Sequence, residues 1–318
     1  MRSLFLFKSI IIASFLFLTT CTSDKVGDFN FKTKYVFVII VDGPRYSETW
    51  GDPSHFYIPR MSETLSSQGV INTQFFNNGQ TYTVPGHTAI ASGNYQDMNN
   101  SGLDLPSHPT IFQLWLKSTG NSANLAWLVT SKDKLQVLAN SSDSDWNNKY
   151  LASTNCGVNG AGLGSGYRED SLTYIALMNV ISTNHPHLLL VNFREPDFSG
   201  HQSNWLNYLK GIKDTDEYVY QIWNLIQTDP FYKDKTSLFV TNDHGRHLDS
   251  ISGGYPSHGD GCEGCRHINF YAFGPDFKKN KVISTPRELI DISATIAAMM
   301  RFESNSLQGK VMTELFND

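Results

Sequence analysis

The chain has little of what makes several functional classes easy to recognise. It holds only four cysteines, 17% charged residues, and 25 Lys and Arg against 30 Asp and Glu, for a formal net charge of −5. No basic block resembles a nucleic-acid footprint, so no nucleic-acid partner is expected. The apolar stretch at residues 10–18 is too short to span a bilayer comfortably. There is no GxSxG elbow of a serine hydrolase. Gly160, Gly162, Gly164 and Gly166 alternate without satisfying GxGxxG, and no apolar strand precedes them, so a dinucleotide cofactor is not supported. What remains is ample apolar material. With 318 residues and 40% hydrophobic content, the chain can bury a full core as one α/β domain.

Residues 1–20, MRSLFLFKSIIIASFLFLTT, join a short basic start to an interrupted apolar run that fits a secretory segment. The following Leu18-Thr19-Thr20-Cys21 resembles a bacterial lipoprotein cleavage box, with Thr20 where Gly, Ala or Ser is usual; an ordinary signal peptide cut nearby is the alternative. Both take the mature protein out of the cytoplasm. The expected organisation is a signal peptide at 1–20, a tether at 21–33 and one domain at 34–318. The expected location is the periplasm, or the outer membrane through a lipid on Cys21. In such an oxidising compartment Cys262-Glu-Gly-Cys265 reads as a tight loop disulfide or as free thiols, because a structural zinc site normally takes four ligands and only one such pair is visible.

Three short apolar runs, at residues 35–41, 188–193 and 237–241, read as buried parallel strands, and each is followed closely by an acidic residue: Asp42, Asp197 and Asp243. Helical spacing lies between them, as at residues 211–227, and Thr285-Pro286-Arg287-Glu288 reads as a capping box opening a helix through about Met300. The expected fold is therefore α/β, three layers with a mostly parallel central sheet covered on both faces. Ligands bind such sheets beyond the carboxyl ends of the strands. The Ser/Asn/Gly-rich stretches at 140–148 and 155–166 are expected at the surface, the stretch 140–166 being the best placed to overhang the site.

Histidines join the acids at those ends. EPDFSGHQ holds Asp197 and His201, TNDHGRH holds Asp243 and His244, and CRHINFYAFGP puts His267 at the head of a further strand-like run. Carboxylate and imidazole together suit zinc at a site that keeps an open position. Six such ligands exceed one tetrahedral ion, which favours two, and two metals suit in-line displacement. His55, His108, His185 and His187 sit beside no such pattern, and His87, His247 and His258 are undecided. The stretch TYTVPGHTAIASG, residues 81–93, then reads as a hydroxyl presented at a helix start, where free backbone N–H groups favour an anion.

With these motifs in this order, the chain from about Lys34 to Leu315 resembles the alkaline phosphatase superfamily, close to the nucleotide pyrophosphatase/phosphodiesterases and the threonine-using phosphate monoesterases. The resemblance implies Thr83 as the nucleophile, two residues before a proline. It implies one zinc on Asp42, Asp243, His244 and Thr83, and the other on Asp197, His201 and His267. His258 is the rival for the last place, and the position before the strand favours His267. Thr83 stands where the sulfatases' C-x-P-x-R has its Cys, which argues against sulfatase chemistry. The backbone N–H of Val84 and the side chain of Asn100 or Asn99 are candidates for one phosphoryl oxygen. Lys132 and Lys134 in SKDKL match a Lys-x-Arg that holds the remaining oxygens in the monoesterases. The expected activity is hydrolysis of small-molecule phosphate esters through phospho-threonine, monoesters slightly favoured. The alternatives are a phosphodiesterase or nucleotide pyrophosphatase, and a surface-anchored binding protein on a decayed enzyme scaffold.

Overall fold

A computed structural model describes residues 29–303 and 305–317. The expected signal peptide and lipoprotein box, with Cys21, lie outside the described residues. The strands are β1 (Tyr35–Asp42), β2 (Gly69–Phe76), β3 (Ala126–Thr130), β4 (Ser153–Cys156), β5 (Leu188–Pro196), β6 (Thr236–Thr241), β7 (His267–Phe273), β8 (Lys281–Ile283) and β9 (Arg287–Glu288). The helices are α1 (Thr83–Ser92), α2 (Ile111–Thr119), α3 (Asp170–Asn184), α4 (Asp197–His201), α5 (Trp205–Thr228), α6 (Glu263–Arg266) and α7 (Leu289–Met300). Among the described residues, no helix is long and apolar enough to cross a membrane.

One sheet runs β4-β3-β5-β1-β6-β7-β2-β8, with β9 also paired to β2. Its strands are parallel except that β7 runs against both β6 and β2. β1 is buried along its whole length, which explains its unbroken apolar run. Its side chains divide by alternation. Val36, Val38 and Ile40 join a core with residues of α1, α2 and α7, while Tyr35, Phe37 and Ile39 join a second core with residues of α3 and α5. Helices thus cover both faces, as expected.

The start of α5 is capped by the Asn204 side chain, which accepts from Asn207 N at 3.1 Å. Its inner face is Tyr208, Leu209, Ile212, Val219, Ile222, Trp223 and Ile226, a 3.6-residue repeat. The capping box of α7 differs from the expected one. Glu288 is the N-cap and Asp291 its partner, because Arg287 and Glu288 first pair with Phe75 and Phe76 of β2. The short strand β4 lies in a stretch whose polar composition suggested only loop; its place at the sheet edge beside β3 explains why it needs no apolar run.

Candidate metal centre

β5, β1 and β6 are adjacent and parallel, so their carboxyl ends lie side by side. Asp42 is the last residue of β1, Asp197 opens α4 directly after β5, and Asp243 follows β6 by two residues. All three carboxylates are buried. Burial alone would raise their pKa values, and Asp42 is raised, by burial first and then by the neighbouring charge of Asp243. Asp197 goes the other way: Lys132 and Arg246 outweigh burial and hold it well below the usual carboxylate range. Asp243 is also lowered, because His244, His87 and Lys132 overcome its burial. Such a cluster is tolerable only where cations neutralise it.

Glycine lets these ends approach one another. Gly43 has φ of +68°, and a Cβ there would stand 2.9 Å from Asp197 Cβ. A Cβ on Gly86 would stand 2.5 Å from the Asp243 carbonyl oxygen, so the Pro-Gly of TVPGH is a close contact rather than a surface turn.

The histidines are sorted by their backbone partners. A carbonyl only accepts, so His244 Nδ1, 2.8 Å from Gly245 O, carries the proton, as does His258 Nδ1, 2.7 Å from Thr81 O. Each thus turns Nε2 toward the neighbouring carboxylates, the arrangement in which a backbone carbonyl orients a metal-binding imidazole. His244 Nε2 lies 3.4 Å from Asp243 Oδ2 and 3.6 Å from Asp42 Oδ1. His258 Nε2 lies 3.4 Å from Asp197 Oδ1 and 3.0 Å from His201 Nε2, which is itself 3.4 Å from the same Asp197 oxygen. His87 differs: Nδ1 donates to Thr83 O at 2.8 Å, and Nε2 accepts from Asn192 Nδ2 at 3.1 Å. With both nitrogens engaged, His87 positions α1 against Asp243 and is not free to bind a metal, although its Nδ1 is 3.2 Å from Asp243 Oδ2.

Among the described residues three groups of donor atoms are close enough for a cation: Asp42, His87 and Asp243; Asp197, His244 and His258; and, apart from these, His247, Asp260, Cys262 and Cys265. The fit is supported by what is unsatisfied. Asp42 Oδ1, Asp243 Oδ2 and His244 Nε2 are buried without a hydrogen bond of good geometry.

Thr83 is the first residue of α1 and is buried. Its Oγ1 is 3.0 Å from Lys132 Nζ, which also stands 2.9 Å from Asp42 Oδ1 and 2.7 Å from Asp197 Oδ2. Lys132 is only 1% exposed. Burial acts to discharge it, but Asp197, Asp42 and Asp243 prevail and raise its pKa, so it is an ammonium. Lys134 Nζ donates to Asn100 Oδ1 at 3.0 Å and to Asn100 O at 3.1 Å. Its pKa is pushed down to about 8, by burial first and by Lys132 second. Tyr167, just past the glycine-rich stretch, has its ring 5.7 Å from Lys132 Nζ and 5.9 Å from Lys134 Nζ.

The structure therefore brings together Asp42, Thr83, Asp197, His201, Asp243 and His244, with Lys132, Lys134 and Asn100 beside them. It does not bring His267 there. On β7, Ile268, Phe270 and Ala272 face the core of α1, so His267 shares the opposite face with Tyr271 and Phe273. Its ring stacks on Tyr46 at 3.8 Å, Nε2 donates to Thr73 O at 2.9 Å, and Nδ1 is 3.5 Å from Glu263. His258 stands in the place expected of it. Val84 N is also committed, donating to Asn100 Oδ1 at 2.8 Å. Asn99 is not at the site: its Oδ1 accepts from Ser101 N at 2.8 Å in an exposed turn.

Sequence reasoning passed over Arg246 and Asn192. Arg246 is fully buried, donates to Asp197 Oδ1 and to the carbonyls of Tyr255 and Pro256, and stands directly after the Asp-His-Gly motif, a position that was its only signal. Asn192 Nδ2 donates to Asp42 Oδ2 at 3.0 Å from inside an apolar strand, where one polar residue was the available clue.

The model of the Metalloenzyme superfamily matches residues 132–304. Among solved structures, the fold is similar to the phosphonate monoester hydrolase SpPMH from Silicibacter pomeroyi, with a TM-score of 0.64 and 14% identity over 88% of this chain and 76% of that one. It is also similar to the PsFucS1 sulfatase from Pseudoalteromonas sp., at 0.63 and 14% over 90% and 72%. Murine ectonucleotide pyrophosphatase/phosphodiesterase 5 gives 0.59 and 15% over 89% and 100%. The same murine protein, as an inactive threonine-to-alanine variant in complex with AMP, gives 0.60 and 14% over the same shares. No curated protein matches the chain.

Proposed function

The chain belongs to the Metalloenzyme superfamily, with an alkaline-phosphatase-like fold, and on that premise we propose that it hydrolyses phosphate esters through a covalent phospho-threonine on Thr83. The observation that carries this reading is the Lys132 ammonium bridging Thr83 Oγ1, Asp42 and Asp197. It fixes a buried hydroxyl beside the unsatisfied donors Asp42 Oδ1, Asp243 Oδ2 and His244 Nε2. Among its structural neighbours, the murine phosphodiesterase is described as inactive when a threonine becomes alanine. No cysteine lies near Thr83 to supply the formylglycine of a sulfatase.

Two zinc ions would be held, one by Asp42, Asp243, His244 and Thr83, the other by Asp197, His201 and His258. Bound there, zinc supplies the positive charge that makes a hydroxyl easier to deprotonate and steadies the charge developing on phosphoryl and leaving oxygens. Thr83 Oγ attacks phosphorus, and the bond from phosphorus to the alcohol oxygen breaks as the new one forms. Water then displaces Thr83 Oγ, releasing phosphate and restoring the hydroxyl. The buried cluster around Asp42, Asp197 and Asp243 keeps this oxygen away from bulk water until substrate enters.

Lys132 and Lys134 supply charge to the non-bridging oxygens. Because Asn100 Oδ1 already accepts from Val84 N and Lys134 Nζ, its Nδ2 is the donor left for substrate. Two ammonium groups favour a monoester dianion over a diester monoanion. The test compares kcat/KM for an aryl phosphate and its methyl diester. A preference for the monoester that collapses in Lys132→Ala is expected, and a diester preference unaffected by Lys132→Ala would replace this reading with a phosphodiesterase.

A further inference from the structure

The connection from β6 to β7 carries His258, yet it has few means of holding its own shape. Between His247 and Cys262 it contains only turns and bends, and Gly253, Gly254, Gly259 and Gly261 all have positive φ. Leu248 and Ile251 are exposed rather than buried as anchors. A segment this rich in glycine costs much conformational entropy to order.

Its two ends meet in a cluster outside the catalytic candidates. One donor atom from each of His247, Asp260, Cys262 and Cys265 can be chosen so that all lie within 4.8 Å of one another. Cys262 caps the single turn of α6 and Cys265 lies within it, so the Cys-x-x-Cys spacing brings both sulfurs to one place. His247 is 3% exposed, and neither ring nitrogen makes a hydrogen bond of good geometry, although Nε2 lies 3.1 Å from Asp260 Oδ1. A buried imidazole whose Nδ1 has no partner and whose Nε2 meets a carboxylate only at poor geometry is costly. A Cys262–Cys265 disulfide would leave that cost standing, because it uses neither His247 nor Asp260.

We propose that His247, Asp260, Cys262 and Cys265 bind a structural zinc ion that closes the β6–β7 connection and so presents His258. The sequence displayed one cysteine pair; the fold adds an imidazole and a carboxylate from the same loop. Two thiolates, one imidazole and one carboxylate form a closed tetrahedral set, with no position open for substrate, and soft sulfur selects zinc over magnesium or calcium. The link to His258 is direct. His247 N donates to Ser257 O at 3.1 Å, one residue before His258, whose Nδ1 is held by Thr81 O. Fixing His247 therefore fixes the backbone that delivers His258.

The test uses the whole protein, purified without reductant and loaded with cobalt in place of zinc. A thiolate-to-cobalt charge-transfer band in the near ultraviolet is expected in the wild type and in Thr83→Ala. It should vanish in the Cys262→Ser, Cys265→Ser double variant, whose zinc content should fall by one ion per chain. Limited proteolysis of that variant should cut within residues 248–261 at least tenfold faster. The band reports this site whether or not the catalytic centre binds metal, and its presence in the wild type decides the matter even if the double variant fails to fold. Absence of the band, or recovery of a Cys262–Cys265 disulfide peptide from the wild type, would overturn the proposal.

Discussion

Asp42, Asp197 and Asp243 are carried by the ends of three strands locked in register, whereas His258 is carried by a glycine-rich loop that returns to the same place. On the strand side, position follows from pairing: β5, β1 and β6 are neighbours, so three separate polar residues after three apolar runs meet without further instruction. On the loop side nothing local dictates the meeting. His267 sharpens the contrast, because it has strand support and the right height at the sheet edge but faces the wrong way. Strand support thus places the edge, alternation chooses the face, and only a contact such as His258 Nδ1 to Thr81 O places a loop residue.

The largest expected effect concerns the helix start between the two regions. Thr83→Ala should reduce turnover by about 10⁴-fold or more, as for loss of a nucleophile, with metal content and melting temperature unchanged. Retained turnover would remove Thr83 from the chemistry.

His258→Ala should lower kcat by more than about 100-fold, since loss of a mere supporting partner of a metal ligand costs 10- to 100-fold. It should also release one metal ion per chain. His267→Ala should change kcat by less than about threefold, its loss being felt in the stacking with Tyr46, worth roughly 1 kcal/mol of stability. The reverse ranking would restore His267 as the ligand.

Lys132→Ala should cost the aryl monoester roughly 10- to 100-fold in kcat/KM, the worth of a charge-assisted hydrogen bond, and the diester less. Equal losses would mean that Lys132 only neutralises Asp42 and Asp197.

The smallest effect is a pH dependence. Lys134 is charged below about pH 8 and loses its proton as pH rises through that value. Monoester kcat/KM should therefore decline on the alkaline side, by about fivefold for a contact worth roughly 1 kcal/mol. Lys134→Arg, which stays charged, should move that decline to higher pH. An unchanged profile would detach Lys134 from substrate.

The legible part of this molecule was the part with repeating pattern. Unbroken apolar runs announced β1, β5 and β6, and helical spacing announced α5. The acids that follow those strands could be read because the end of a buried strand is where polarity first becomes affordable. β4 was illegible, since an edge strand with a half-exposed surface needs no apolar run. Arg246 was illegible for a different reason: its burial depends on Asp197 and on two carbonyls of a distant turn, none of which a local pattern reveals. Choosing between His258 and His267 required knowing which face of β7 meets α1, a fact set by the whole core rather than by either histidine's neighbours.

The most direct test of the central claim is an anomalous-difference map, at the zinc edge, of crystals of the metal-loaded protein. One peak is expected on Asp42, Asp243, His244 and the Thr83 oxygen, and a neighbouring one on Asp197, His201 and His258. A peak on His267, or metal-loaded crystals with no peak within reach of Thr83, would contradict it.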